Sequence, residues 1–377
     1  MIEITLGLLI AFVVAYYSIP IIIKVSYEKK LFDLPNERKL HANSIPTLGG
    51  IGIFAGIVCS FLLTIGFDNN AYGFQYLMAA CIVTFFIGLK DDISNLSPYK
   101  KFLGHILAAL ILVIPQSAYI SNYGGILGIY EVPPLIAYII SIVVIVFIIN
   151  AFNLIDGVDA LVSSISILAC IGFFVFFFLN NKIELAAITA IITGALLAFL
   201  IFNRHPAKIF MGDTGALLLG LLFAYLAFAF INIHIKEAAT LQYKFQSPHA
   251  MALIFIFLPL FDTFRVFAIR ILKGGSPFEA DRNHLHHILL GFGIGPQKTV
   301  LTLILSTLLM TSLGVLLDRF GNNVALFTVV GFACLSMIVI VKKSKQVTSV
   351  KALSGNNRKK QNGFIRILNE SKKVVNK

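Results

Sequence analysis

Charge is scarce in this sequence. Only 13% of its 377 residues are Asp, Glu, Lys or Arg, about half the share of a soluble domain, against 58% hydrophobic residues. Water is therefore not the main solvent of the chain, and no soluble domain fits between its apolar runs. Cysteine occurs four times, at Cys59, Cys81, Cys170 and Cys334, always inside an apolar run and never at metal-ligand spacing. Neither a disulfide nor a zinc site is implied. The P-loop pattern is missing, as is a Rossmann fingerprint between strand and helix; the stretch Gly291-Phe-Gly-Ile-Gly295 follows a histidine cluster and reads as a turn. An internal repeat is missing too, which counts against the many transporter folds built from two related halves.

What the sequence does have is eleven apolar runs, near 2–23, 48–66, 72–89, 103–120, 132–150, 158–179, 184–202, 214–233, 250–271, 299–317 and 323–341. Each is close to the roughly 20 residues a helix needs to cross the hydrocarbon core. The fold class is therefore all-α: a polytopic integral membrane protein of about eleven transmembrane helices, with a membrane-embedded domain over 1–341 and a basic tail over 342–377. The first run carries Glu3 and no Lys or Arg before it, whereas Lys24, Lys29 and Lys30 follow, the reverse of a signal peptide. The positive-inside rule puts the N-terminus outside and the 24–47 loop in the cytoplasm, and eleven crossings leave the C-terminus inside. With that threading, all of the 30 Lys and Arg except Lys182, Lys236, Lys244 and Arg319 fall on the cytoplasmic side. The tail from Lys342 to Lys377 holds eleven basic residues and one acid, Glu370, a composition suited to anionic membrane lipids and not to nucleic acid.

The outer loops are short and plain, and the inner ones carry the chemistry. They contain Asp33-Leu-Pro-Asn-Glu-Arg-Lys39-Leu-His41 with Pro46-Thr-Leu-Gly49-Gly50, and Gly88-Leu-Lys-Asp91-Asp92 with Lys100 and Lys101 beyond. Next come Asn150-Ala-Phe-Asn153-Leu-Ile-Asp156-Gly-Val-Asp159 and Asn203-Arg-His-Pro-Ala-Lys208-Ile-Phe210-Met-Gly212-Asp213. The last is Ser276-Pro-Phe-Glu-Ala-Asp281-Arg282-Asn-His284-Leu-His286-His287. An ion pathway would spread polar groups through the bilayer depth; here they gather on one face, which weighs against a transporter of ions or lipid-linked solutes. Asp262 and Arg265 are the main exception, three apart in the ninth run, where an ion pair on one helix face accounts for them.

Several Asp and Asn on one face suit a hard divalent cation, since Mg²⁺ takes one or two carboxylates and leaves room for substrate phosphates. Asp213 alone reads equally as a helix cap, and Asp156-Gly-Val-Asp159 alone reads equally as a turn. Lys39, Arg38, Lys100, Lys101, Lys208 and Arg282 supply positive charge for phosphates. His284, His286 and His287 lack zinc spacing and read as phosphate or sugar contacts.

Taken in order from Asp33 to His287, the five inner motifs resemble the polyprenyl-phosphate N-acetylhexosamine-1-phosphate transferases, glycosyltransferase family 4, in the undecaprenyl-phosphate GlcNAc-1-phosphate branch. The resemblance implies a phosphotransferase of the plasma (inner) membrane with its active site on the cytoplasmic face. It implies substrates UDP-HexNAc and polyprenyl phosphate, a Mg²⁺ cofactor for which Mn²⁺ can substitute, and a product that starts a cell-envelope glycan. A homodimer is compatible with it. It also implies roles: Asp213 and Asn153 as metal ligands, Asp91 and Asp92 at the lipid phosphate with one as base, and Asp156 and Asp159 lining the nucleotide pocket. Lys39 falls to substrate binding, Asn203 and Phe210 to uridine, and Arg282, His284, His286 and His287 to the donor sugar. Leu285 interrupts what is a run of three histidines in the branch that uses MurNAc-pentapeptide, and Ala160 stands where many relatives have Gly. A CDP-alcohol phosphotransferase is excluded, because Asp156-Gly157 is not followed by that family's D-G-x-x-A-R pattern.

Overall fold

The computed structural model describes residues 1–33, 45–65, 73–116, 118–276 and 283–338. Lys39, Arg282 and the tail from 342 lie outside the described residues. The helices, in chain order, are α1 (Ile2–Glu28), α2 (Gly49–Thr64), α3 (Phe74–Ser94), α4 (Pro98–Val113), α5 (Pro134–Ile155), α6 (Leu161–Leu179) and α7 (Ile183–Asn203). There follow α8 (Gly212–Glu237), α9 (Pro248–Phe255), α10 (Phe257–Leu272), α11 (Leu285–Gly291), α12 (Pro296–Leu317) and α13 (Asn322–Ile338). Among the described residues each of the eleven apolar runs contains helix, the ninth holding both α9 and α10. Six helices, α1, α5, α6, α7, α8 and α12, are long and apolar enough to cross a membrane, and α9 with α10 adds a seventh if that bent pair is one span. The chain is a multi-pass membrane protein. α3 and α4 carry Lys90, Asp91 and Asp92 or Lys100 and Lys101 at their ends, and α2 and α13 are shorter.

Two features depart from the helix-only expectation. The ninth run is not one straight helix: it breaks at Ile256 and turns through 86° between α9 and α10. Pro259, in the first turn of α10, has no N–H to give the Phe255 carbonyl, so a continuous helix would lose a bond there. Two small antiparallel pairs also form, β1 (Phe32–Asp33) with β2 (Ile45–Pro46), and β3 (Asn122–Ile126) with β4 (Ile129–Glu131).

The core is built around α8. Of its most apolar stretch 94% is buried, against 22% for α1, so α8 is the protein's axis and α1 faces lipid. Its first turn is gripped from two sides by backbone. Gly50 on α2 lies so close to Gly215 that a methyl group would collide with the Gly215 backbone N. A methyl on Gly88 of α3 would come within 2.5 Å of Thr214 Cα. Small residues at such crossings let helices approach and fix their relative height. The α8 start is also stitched to the segment before α2: Phe210 N donates to Pro46 O at 2.8 Å, Gly49 N to Phe210 O at 3.0 Å and Gly50 N to Met211 O at 2.8 Å. Gly88→Ala therefore wedges α3 from α8. We expect a loss of about 1–3 kcal/mol, read as a lower melting temperature, together with loss of activity.

Candidate active site

Four helix ends meet at the start of α8. The last turn of α3 brings Asp91 and Asp92, the first turn of α4 brings Lys101, the last turn of α5 brings Asn153, and α8 opens on Gly212-Asp213. Lys101 is the hub. Its ammonium Nζ donates to Asp91 Oδ2 at 3.2 Å, to Asn153 Oδ1 at 3.2 Å and to Asp213 Oδ2 at closer range. Asn153 Nδ2 donates to the other oxygen of Asp213 at 2.7 Å, which turns its own carbonyl oxygen toward the cation. Asp91 is fixed from behind by the Leu96 backbone N–H. Three hard oxygen donors from three helices thus converge on one positive charge. Among the described residues no group of three or more His, Cys, Asp or Glu is arranged to hold a metal; the oxygens around Lys101 belong to two carboxylates and one amide. That set suits an ion that keeps places open for substrate oxygens.

The two adjacent aspartates have separate jobs in this geometry. Asp92 turns away from Lys101 and caps α8: Oδ1 accepts Asp213 N at 2.8 Å, while Oδ2 accepts Thr214 N at 3.0 Å and Thr214 Oγ1 at 2.5 Å. Asp213 makes no capping bond, so the simple alternative for it, a helix cap, passes to Asp92. The Asp92 oxygens thus hold the α8 start. Asp92→Ala leaves those donors without an acceptor, at a cost of about 1–2 kcal/mol, and should lower the melting temperature where Asp213→Asn does not.

Asp156, the C-cap of α5, lies next to this cluster. Burial pushes its carboxyl up to about 7, and the charges of Asp213, Asp92 and Asp159 add to the shift. Asp159 sits one loop further on, where Oδ2 bonds His205 Nδ1 at 2.7 Å and accepts Ala207 N at 3.2 Å. A cleft of about 620 Å³ opens beside it, walled by Arg204, His205, Lys208 and Gln297. Asn203 bridges two segments: Oδ1 accepts Ala160 N at 2.8 Å and Nδ2 donates to Ile209 O at 2.8 Å. Both ends of this amide are thus engaged inside the protein. Phe210, half-buried, is held by its backbone against Pro46 and Gly49. Ala160 has φ +66°, a conformation that favours glycine, and the Asn203 bond secures it. We expect Ala160→Gly to stabilise the protein by up to about 1 kcal/mol, seen as a small rise in melting temperature.

The histidines pack against one another. His284 and His286 stack with ring centroids 5.7 Å apart, and His287 lies 4.2 Å from His286. His286 is buried against Gly157, where a methyl group would collide with its Nε2. Burial, with neighbouring His287 adding to it, brings the His286 ring down to about 3, so it is neutral. It joins the histidine segment to the Asp156–Asp159 loop.

Comparison with known proteins decides the family. Residues 74–231 match the model of glycosyl transferase family 4. An undecaprenyl-phosphate alpha-N-acetylglucosaminyl 1-phosphate transferase of Pasteurella multocida is 32% identical over 84% of this chain and 87% of its own length. The chain belongs to glycosyl transferase family 4. An enzyme of the same printed name from Haemophilus influenzae is 29% identical over 89% of this chain and 92% of its own. A decaprenyl-phosphate N-acetylglucosaminephosphotransferase of Mycobacterium leprae is 28% identical over 80% and 81%. The family match encloses the four helix ends around Lys101, Asp156, Asp159, Asn203 and Phe210; His284 to His287 lie beyond it.

Two partners were not legible at their motif spacings in this family 4 chain. Lys101 was expected only as a phosphate-binding charge, and nothing in its spacing tells that it reaches across to α5 and α8. Nor does the spacing of His205 tell that it pairs with Asp159.

Proposed function

We propose that the chain transfers N-acetylglucosamine-1-phosphate from UDP-GlcNAc to a polyprenyl phosphate, releasing UMP. The observation that carries this reading is the convergence of Asp91, Asn153 and Asp213 on one cation in a family 4 chain. The relatives are named for acceptors of two polyprenyl lengths and for one sugar, which supports the acceptor class and GlcNAc as donor sugar.

In the reaction a lipid-phosphate oxygen attacks the β-phosphorus of the donor. The bond from that phosphorus to the bridging oxygen breaks, and the bridging oxygen leaves with UMP. Two anions must meet, so the work of the site is positioning and charge neutralisation. Asp213, Asn153 and Asp91 are the residues that would hold Mg²⁺, which when bound offsets charge on the phosphates. Lys101 brings a further positive charge to the same point, and Asp91 is the aspartate placed to meet the acceptor phosphate. Arg204 and Lys208 wall the cleft and supply charge to the nucleotide. Asp92, Asn203 and His286 hold these elements in place.

By the same reading all eleven runs cross the plasma membrane, with the N-terminus outside and the motifs on the cytoplasmic face. The distribution of Lys and Arg supports this orientation. The test is purified protein with undecaprenyl phosphate, Mg²⁺ and a panel of UDP-sugars. UDP-GlcNAc should give a lipid-linked sugar, and EDTA should abolish it. A lipid product from another UDP-sugar alone would overturn the donor assignment, and full activity in EDTA would overturn the metal assignment.

A further inference from the structure

The histidine segment is held by a carboxylate that its own motif does not contain. Asp262 lies on α10, 22 residues before His284 in another element, and is fully buried. Its Oδ2 accepts the Nδ1–H of His284 at 2.8 Å, and its Oδ1 accepts Leu285 N at 3.0 Å and Arg265 Nη2 at 2.8 Å. Arg265 in turn donates to the Asn283 carbonyl. An ion pair on one face of α10 explains Asp262 with Arg265, but it gives no reason for three consecutive residues of another segment to be tied to that pair. A buried carboxylate keeps such donors because losing them is expensive, so the tie is persistent.

We propose that Asp262 is the positioning residue of the donor-sugar segment. By taking the Nδ1 proton of His284 in a hydrogen bond it fixes the ring's orientation and tautomer, leaving Nε2 to face the ligand chemistry, as outer carboxylates do for functional histidines elsewhere. By accepting Leu285 N it sets the first turn of α11, and hence the seat of His286 on Gly157 beside Asp156. The inference rests on the reading that His284 serves the donor. It assigns Asp262 an effect on the UDP-sugar that acts through His284 and leaves the lipid acceptor alone.

The experiment uses the full chain in nanodiscs, with KM for UDP-GlcNAc and for undecaprenyl phosphate, kcat and melting temperature measured for Asp262→Asn, His284→Ala and the double variant. Asp262→Asn should raise the donor KM by about tenfold, in the range seen when such outer partners are removed. The acceptor KM should stay within about twofold, and the double variant should match His284→Ala alone. A purely structural role would instead lower the melting temperature and shift both KM values together. Multiplicative effects in the double variant, equal effects on both substrates, or no effect would overturn the proposal. If His284→Ala itself leaves the donor KM unchanged, the donor-segment reading falls and the proposal falls with it. Should the half-buried Arg265 without its carboxylate keep Asp262→Asn from folding, Asp262→Asn with Arg265→Gln carries the same test, and failure of both to fold would overturn the proposal by making Asp262 a stability residue.

Discussion

Asp213→Asn should lower turnover by about a thousandfold, roughly 4 kcal/mol of transition-state stabilisation, with expression and melting temperature at the parental level. The stability half of that expectation comes from the geometry of the α8 start. Asp92 caps the helix and Asp213 does not, so replacing the Asp213 carboxylate with an amide of the same shape removes no capping bond. The activity half comes from charge. Asp213 is the carboxylate nearest Lys101 and the one oriented by Asn153, so it contributes most to holding a cation at the junction. Assays across a Mg²⁺ series separate the two: the residual activity should need more Mg²⁺. Near-parental turnover with an unchanged Mg²⁺ dependence would remove Asp213 from the metal site.

Lys101→Met should lower turnover by about a hundredfold and, in the same protein, tighten divalent-cation binding by about tenfold. The first effect follows from losing a positive charge where two phosphates meet. The second follows from competition, because the Lys101 ammonium occupies the convergence point of Asp91, Asn153 and Asp213, and a cation there must displace it and be repelled by it. With the ammonium gone, the oxygens face one another uncompensated and hold an added cation more tightly. Titration of substrate-free protein with Mn²⁺, followed by its electron paramagnetic resonance signal, reads binding without reference to turnover. Unchanged or weaker Mn²⁺ binding in Lys101→Met would show that the ammonium and the metal do not share a site.

Much of this arrangement was legible in the sequence, and the rest was not for identifiable reasons. The apolar runs locate the helices because length and hydropathy are local properties, and every run has its helix. The break at Ile256 was hidden because an apolar run reads the same whether straight or bent; Pro259 was the available signal. The inner motifs named Asp91, Asp156, Asp159 and Asp213 as residues of one face; in the structure Asp91 and Asp213 meet at Lys101, while Asp159 bonds His205 and Ala207 one loop further on. What spacing cannot tell is which oxygen of which neighbour points where. Asp91 and Asp92 are adjacent and chemically identical, yet one faces Lys101 and the other caps a helix more than a hundred residues away. Asn203 bridges two loops, which its spacing does not show. Asp262 paired with Arg265 as its spacing implied, but its bonds to His284 and Leu285 depend on the tertiary fold. Ala160 was visible as a departure from glycine, and only the backbone angle shows what it imposes.

The transferred group is the central claim, and the fate of the donor's β-phosphorus tests it most directly. UDP-GlcNAc labelled with ³²P at the β-phosphate is incubated with the purified protein, undecaprenyl phosphate and Mg²⁺, and the organic and aqueous phases are separated. Attack at phosphorus predicts that the label enters the lipid phase in step with the sugar while unlabelled UMP appears in water. Label remaining in water as UDP, with sugar alone in the lipid, would mean attack at the sugar carbon and would contradict the account.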